Sequence, residues 1–350
     1  MSSTRDSTPR FGGRRNAEAI FAPIPDLGIA IPNCRHCYND SGAAPVQELP
    51  LAGILPLLDE LREFGQQRLQ ISGGEPTCHP DFAAIVQEAG QRGMRVSINT
   101  NGVIGKQVRE SLAKLRFARI AVSLDGMRAN NDRVRGDGTF DAALESLPLI
   151  KSIADDVSLA VHIFRSNLED VTGLMALAAR EEIGIKFSTL RPIGRARDNM
   201  LDEVPTAHEF MQAVKAVNRA RRQYPGIRLK TDFDILPMPR TAPATVPPEK
   251  AACPAGRSRL NVCFDGWVYP CSFLFTPDRR FAVGRLGERP IIEMWQQAPV
   301  LQLLRRPDKI ASCRNCPAYG RSCVGGCRAM AYFTTGQLDG RDPVCFADEL

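Results

Sequence analysis

The chain has 350 residues, 43% hydrophobic and 24% charged, with 45 Lys and Arg against 39 Asp and Glu, for a net charge of +6. This is the composition of an ordinary globular protein, long enough for one large domain and a smaller one. It excludes a membrane span, because no apolar run reaches about eighteen residues, and a basic stripe for nucleic acid, because the cations are scattered in doublets such as Arg221-Arg222.

Residues 1–20 read as a mobile tail, polar and Arg-rich at the start and unlike a secretory signal. A cytoplasmic setting follows, in which paired cysteines are more often metal ligands or redox groups than disulfides. From about Asp26, short apolar runs suited to buried parallel strands alternate with helical stretches. Strands are predicted at Leu27–Ile31, Arg68–Ser72, Arg95–Asn99, Arg119–Leu124, Ser158–Phe164 and Ile185–Leu190. Helices are predicted at Leu51–Phe64, Asp81–Arg92, Lys106–Leu115, Phe140–Ile153 and Leu168–Glu182. A further helix begins at Thr206, which with Glu209 forms a capping box.

Six strand–helix repeats predict an α/β fold, a partial parallel (β/α)6 barrel over 21–234 with its chemistry at the carboxyl ends of the strands. An open doubly wound sheet is the alternative, but no dinucleotide glycine fingerprint follows the first strand. Residues 235–252 are a proline-rich linker. Residues 253–350 form a small cysteine-rich domain with strands at Leu260–Phe264 and Trp267–Tyr269 and a helix over Ile291–Leu304. A domain so small and loop-rich needs staples, which metal clusters supply.

Ten of the eleven cysteines fall into two groups. Cys34 and Cys37 occupy a loop after the first strand, and a lone C-x-x-C is ambiguous between zinc, redox and cluster ligation. Ser72-Gly73-Gly74-Glu75-Pro76 follows the second strand, where glycines let a backbone pass close to a ligand and a carboxylate can receive an amino group. Asn99-Thr100-Asn101-Gly102 follows the third strand and Ser123-Leu124-Asp125-Gly126 the fourth, with Val134-Arg135-Gly136 beyond. Arg165 and Asn167 follow the fifth strand, and Leu190-Arg191-Pro192-Ile193-Gly194-Arg195 the sixth. The other group is Cys253, Cys263, Cys271, Cys313, Cys316, Cys323, Cys327 and Cys345. Eight thiolates make two full sets for iron–sulfur clusters, with two structural zinc sites as the alternative.

Together these motifs resemble the radical S-adenosylmethionine (radical SAM) superfamily with a C-terminal SPASM extension, over about residues 27–350. The resemblance implies an enzyme with one 4Fe–4S cluster in a C-x-x-x-C-x-x-C loop, two auxiliary 4Fe–4S clusters and S-adenosylmethionine. One electron from the first cluster cleaves the sulfonium to a 5′-deoxyadenosyl radical that abstracts hydrogen from the substrate. By the same resemblance Gly73, Gly74 and Glu75 hold the methionine amino group. Ser123 and Asp125 lie near the ribose, Arg165 near the carboxylate and Leu190 near the adenine. Cys253, Cys263, Cys271 and Cys327 take the first auxiliary cluster; Cys313, Cys316, Cys323 and Cys345 take the second. The run Cys316-x6-Cys323 is one residue longer than the usual SPASM spacing.

One departure bears on activity. The first position of the cluster loop is Ala30, whose methyl cannot ligate iron. Either the chain is an altered form of an active enzyme, the reading favoured by its other intact motifs, or it has lost radical chemistry. Cys78 as a substitute ligand is set below a half-buried thiol, and His36 is read as packing over the cluster with Tyr38. His79 is placed at the start of the helix after the Gly-Gly-Glu-Pro turn. His162 is a candidate for touching substrate, read more simply as a satisfied core histidine. Ser272 stands where sulfatase-maturing relatives carry an aspartate base, and it is a poor base.

Only 29 residues precede Ala30, too few for the leader-binding domain of many peptide-modifying relatives. The expected substrate is therefore a small molecule, such as a sugar, aminocyclitol or nucleoside, in a specialised pathway of the antibiotic-biosynthetic kind. The outcome would be oxidation, epimerisation or decarboxylation, with a flavodoxin or ferredoxin as reductant. The alternatives are a peptide maturase of the same superfamily and a non-catalytic cluster-binding partner protein.

Overall fold

The computed structural model describes residues 16–21, 34–39, 41, 48–232, 253–305, 310–316, 319, 323 and 325–345. Its strands are β1 (Asn16–Phe21), β2 (Arg68–Gly73), β3 (Arg95–Thr100), β4 (Arg119–Ser123), β5 (Val157–Ile163), β6 (Gly184–Thr189), β7 (Leu229–Thr231), β8 (Arg259–Val262), β9 (Trp267–Tyr269) and β10 (Gly284–Arg285). They form one sheet in the order β10-β9-β8-β1-β2-β3-β4-β5-β6-β7. Neighbours from β8 to β7 run parallel, while β9 and β10 turn back antiparallel. The predicted partial parallel α/β barrel is thus present, with a small antiparallel C-terminal meander. That meander is joined to the barrel sheet, because β8 pairs with the free edge of β1, Ala17 opposite Leu260.

The first barrel strand corrects the expected tail. Asn16–Phe21 pairs with β2, Ala19 opposite Ile71, inside the stretch read as mobile. The backbone of that polar start finds its hydrogen bonds between two strands distant in sequence, which local pattern does not reveal. The predicted strand Leu27–Ile31, Ala30 and the linker over 235–252 lie outside the described residues.

The helices are α1 (Leu51–Glu63), α2 (Phe82–Gln91), α3 (Lys106–Leu112), α4 (Arg128–Arg135), α5 (Thr139–Ile153), α6 (Val171–Arg180), α7 (Arg195–Asn199), α8 (Ala207–Gln223), α9 (Ile291–Gln297), α10 (Pro299–Leu304) and α11 (Arg328–Thr335). The capping box on α8 is formed: Thr206 N–H donates to Glu209 and Glu209 N–H to the Thr206 hydroxyl. The helix expected over Ile291–Leu304 is broken at Ala298, extended because the following Pro299 excludes the helical region for its neighbour.

The core lies between the sheet and the long helices, joining Leu57, Leu58, Ile85, Leu147, Leu174 and Phe210 to Leu69, Ile98, Leu159 and Phe187. Inside the barrel the strands are not buried runs but alternate. On β5, Val157, Leu159, Val161 and Ile163 are buried, while Ser158, Ala160 and His162 are half-buried. Gln70 and Asn99 hydrogen-bond across the inner face at 2.8 Å. A single helical layer covers only one face, so the other is polar and can hold a polar ligand.

Candidate active site

The carboxyl ends of the central strands surround one cavity. Ser72, Gly73 and Gly74 line it after β2, Asn99, Thr100 and Asn101 at the end of β3, and Ser123 at the end of β4. Ala160 and His162 face it from β5, and Leu190 and Arg191 follow β6. Cys34, His36, Cys37, Tyr38 and Ser41 of the cysteine loop close it, with Phe273 from the C-terminal region. The ring of Phe273 meets Tyr38 edge-on at 5.0 Å. Gly73, Gly74, Ser123, Leu190, Cys34, Cys37 and His162 therefore meet at one place, at or just beyond the carboxyl ends of the strands.

Three expected contacts are elsewhere. Glu75 is buried and its carboxylate is spent on the protein. Oε1 accepts from the Thr77 backbone (3.2 Å), the Thr77 hydroxyl (2.8 Å) and the Thr100 hydroxyl (2.9 Å), and Oε2 from Asn101 N–H (2.7 Å). Burial raises its pKa and these donors pull it back. It ties the β2 turn to the β3 turn. Arg165 does not line the cavity: exposed, it reaches Glu209 at 3.0 Å, drawn outward by the carboxylate that caps α8.

Asp125 lies beneath the cavity with no exposure. Its Oδ2 accepts from Arg135 Nε (2.7 Å) and pairs with Arg135 Nη2 (2.6 Å) and His36 Nε2 (3.0 Å). Its Oδ1 accepts from His162 N–H (2.6 Å) and lies 3.3 Å from His162 Nδ1. Burial opposes the charge, but the Arg135 guanidinium and His36 outweigh it and hold the carboxyl well below the usual range. Burial also lowers the pKa of His36, against the pull of Asp125. Arg135 lines the cavity, as Arg191 does, and its Nη1 lies 4.0 Å from Cys34 Sγ. Burial pushes the Cys34 thiol up while Arg135 favours its thiolate.

The loop after β6 grips the cysteine loop. Arg195 N–H donates to Cys37 O and Arg195 Nε to Cys34 O, both at 3.0 Å. Ser41 N–H points at Cys37 Sγ (3.3 Å), the donor pattern of a ligating thiolate. Cys78 sits behind the wall, its thiol pushed up to about 12 by burial, and is not among the cavity residues. His79 is structural: Asp81 N–H donates to its Nδ1 (3.0 Å), and its Nε2 meets Leu49 O (3.2 Å). Ser272 is buried in a short turn and does not line the cavity.

All eleven cysteines are free thiols. Cys271 is half-buried near Cys253 and Cys327, which repel its charge, and Cys263 and Cys271 pack with Cys327 in one apolar cluster around Tyr269. Separately, Cys313 feels Cys316 and Cys345, and Cys323, pushed up to about 11 by burial, feels Cys313 and Cys345. The cysteines thus gather in two separate neighbourhoods. Among the described residues no three cysteine sulfurs converge within 4.8 Å. Tetrahedral zinc, with Zn–S near 2.3 Å, needs closer sulfurs, whereas a cluster spreads its thiolates over separate irons. Gly325 N–H donates to Cys323 Sγ (3.3 Å), and Asp342 accepts from Cys327 N–H (2.6 Å) and Val344 N–H (2.9 Å), bracing both sets. Gly326 allows this with φ 73°, since a Cβ there would lie 2.5 Å from Asp342.

The radical SAM superfamily model matches residues 32–178, and the SPASM model, an iron–sulfur cluster-binding domain, matches 253–317. The chain is 32% identical over 316 residues to mycofactocin maturase MftC of Mycobacterium tuberculosis, covering 89% of this chain and 79% of that protein. The chain belongs to the radical SAM superfamily. It is also 27% identical over 354 residues to PqqA peptide cyclase of Ruegeria pomeroyi, across 96% of this chain and 91% of that one. Among solved structures, Streptococcus suis SuiB bound to precursor peptide SuiA shares the fold, with a TM-score of 0.76 at 16% identity over 94% of this chain and 75% of that one.

As a radical SAM enzyme with a SPASM domain, this chain departs from one expectation. Relatives matched along most of its length include a maturase and a peptide cyclase, so the expected sugar, aminocyclitol or nucleoside substrate and the small-molecule partner are overturned. The count of residues before Ala30 carried no weight, because a peptide can be recognised through a separate protein. Among the described residues no helix is long and apolar enough to cross a membrane.

Glu75 gives a first test of the site. Removing its carboxylate strands two hydroxyls and two amides, so Glu75→Ala is expected to cost on the order of 3 kcal/mol in denaturant unfolding. Glu75→Gln keeps an accepting oxygen and is expected to lose less. A loss below about 1 kcal/mol for the alanine variant would remove the clamp role.

Proposed function

We propose that this radical SAM enzyme is a peptide-modifying maturase that binds S-adenosylmethionine in the barrel-mouth cavity. The observation that carries the reading is chain-long similarity to a maturase, with a peptide cyclase alongside it. When bound, a cluster at the cysteine loop supplies the electron that cleaves the sulfonium and so starts hydrogen abstraction from the peptide. The Gly73–Gly74 backbone approaches the methionine amino group, Glu75 holding the turn in place. Ser123 and the Leu190 backbone face the nucleoside. Arg135, lining the cavity, takes the place beside the carboxylate that Arg165 vacates. Cys253, Cys263, Cys271 and Cys327 hold one auxiliary cluster, and Cys313, Cys316, Cys323 and Cys345 the other. We place the barrel over 16–232 and the auxiliary domain over 253–345, a division supported by the span of the two matched families.

The test uses the anaerobically reconstituted full chain with S-adenosylmethionine and dithionite. It is offered synthetic precursor peptides encoded beside its gene, or a panel of sugars, cyclitols and nucleosides. The expected result is 5′-deoxyadenosine release stimulated by a peptide, with a matching mass change in that peptide. Full iron loading with release stimulated only by the small-molecule panel would overturn the reading.

A further inference from the structure

We propose that His36 supplies the third protein ligand of the barrel-mouth cluster through Nδ1, beside Cys34 and Cys37. This deepens the radical SAM reading above and rests on it.

The argument begins with the shortage of thiols. Eight cysteines make up the two C-terminal sets proposed above, Cys78 does not line the cavity, and position 30 is alanine. Two thiols remain, where a cluster with one open iron needs three protein donors. His36 lines the same wall as Cys34 and Cys37, between them in the loop. Its ring is 9% exposed, and Nδ1 is a buried nitrogen with no hydrogen-bond partner. An unsatisfied polar atom at such a place asks for an explanation.

The other ring nitrogen fixes what Nδ1 can do. Nε2 is 3.0 Å from Asp125 Oδ2 and 3.4 Å from Arg135 Nη2. The closer partner is an ionised acceptor, so Nε2 carries the hydrogen and donates it to Asp125. Nδ1 is then a bare lone pair. A histidine whose second nitrogen donates to a carboxylate is the usual arrangement of a metal-ligating imidazole, because it fixes the tautomer and raises ligand basicity. Imidazole in place of thiolate on a cluster iron is established chemistry, and it raises the reduction potential. A single cation chelated by His36, Asp125 and His162, whose donor atoms lie within 4.8 Å of one another, is disfavoured because Arg135 already occupies Asp125 with two nitrogens.

The experiment takes the full chain labelled with 15N-histidine, reconstituted anaerobically and reduced, and reads iron content together with pulsed-EPR hyperfine coupling. The wild type is expected to hold about twelve irons, four per set, with a directly coordinated histidine nitrogen. His36→Phe keeps an aromatic ring for packing; it is expected to fall to about eight irons and lose the coupling. Adding Ala30→Cys to His36→Phe is expected to restore about twelve irons without the coupling, which separates lost ligation from lost folding.

A His36→Phe variant that keeps about twelve irons, or a wild type with that load and no histidine coupling, overturns the ligand role and leaves the radical SAM reading standing. A wild type with about eight irons also overturns it. In that case Ala30→Cys alone decides the broader reading: the reading survives if the third cluster then assembles and cleaves S-adenosylmethionine, and falls if it does not.

Discussion

Asp125→Ala is expected to destabilise the barrel by about 3–5 kcal/mol in denaturant unfolding at neutral pH. Asp125 is wholly buried and is the only carboxylate in contact with the buried Arg135 guanidinium among the described residues. Its removal leaves that cation buried without a counter-charge and frees the His162 amide at the end of β5. Most of the cost is therefore the stranded charge and not the lost attraction. Arg135→Met in the same background is expected to recover part of the loss, since both members of the pair are then gone. Asp125→Asn keeps the shape but not the charge and is expected to fall between wild type and alanine. Additive losses in the double variant would show that Arg135 and Asp125 do not act as a pair.

The sequence reveals this site unevenly, for physical reasons. Strands β2 to β6 are legible because each carries a short apolar stretch between turn residues, and Thr206 with Glu209 signals α8 through a local hydrogen-bond exchange. Asn16–Phe21 is not legible: its pairing with β2 and β8 joins residues far apart in sequence. Helix α4 is hidden for another reason. Its run Arg128-Ala129-Asn130-Asn131-Asp132-Arg133-Val134-Arg135 has little apolar periodicity, and hydrogen bonds fix it. Asn131 Oδ1 accepts from Asp125 N–H (3.0 Å), and Asp132 accepts from the start of α5. Missing α4 meant missing where Arg135 goes. Arg165 and Arg135 both follow strands, and position alone cannot choose between them. The course of α4 sends Arg135 back under the cavity, while the α8 cap draws Arg165 outward.

The resemblance divides the C-terminal cysteines into two sets, but spacing says nothing of how they meet the barrel. The link is structural: β8 extends the barrel sheet, Phe273 packs on Tyr38 at the cavity, and Arg191 lies between the two. Arg191 is buried and pairs with Asp232 at 3.3 Å, and the charges of Cys327 and Asp342 raise its pKa further. Arg191 thus stands on the cavity wall within electrostatic reach of Cys327, which we propose as a ligand of the first auxiliary cluster.

Gly194→Ala is expected to empty the barrel-mouth cluster while sparing the auxiliary ones, an outcome the motif alone does not suggest. Gly194 has φ 60° and ψ −140°, a region close to glycine-only, so a side chain there costs about 1–3 kcal/mol before any clash. The clash is severe as well. A Cβ would lie 2.5 Å from Tyr38 O and 2.7 Å from Cys37 O, both backbone atoms that cannot swing aside. The cysteine loop must then retreat, breaking the bonds from Arg195 to Cys34 O and Cys37 O that seat its two thiols. Tyr38 and Ile193 share an apolar cluster with Cys263, Cys271 and Cys327, but the clash falls on the backbone oxygens of Cys37 and Tyr38 in the cysteine loop. Iron content after anaerobic reconstitution is therefore expected to drop by about four, one cluster's worth, with no change in the auxiliary signals. Alkylation of Cys34 and Cys37 by iodoacetamide should quicken at the same time. Full iron retention in a folded Gly194→Ala protein would mean that the loop after β6 does not hold the cluster loop in place.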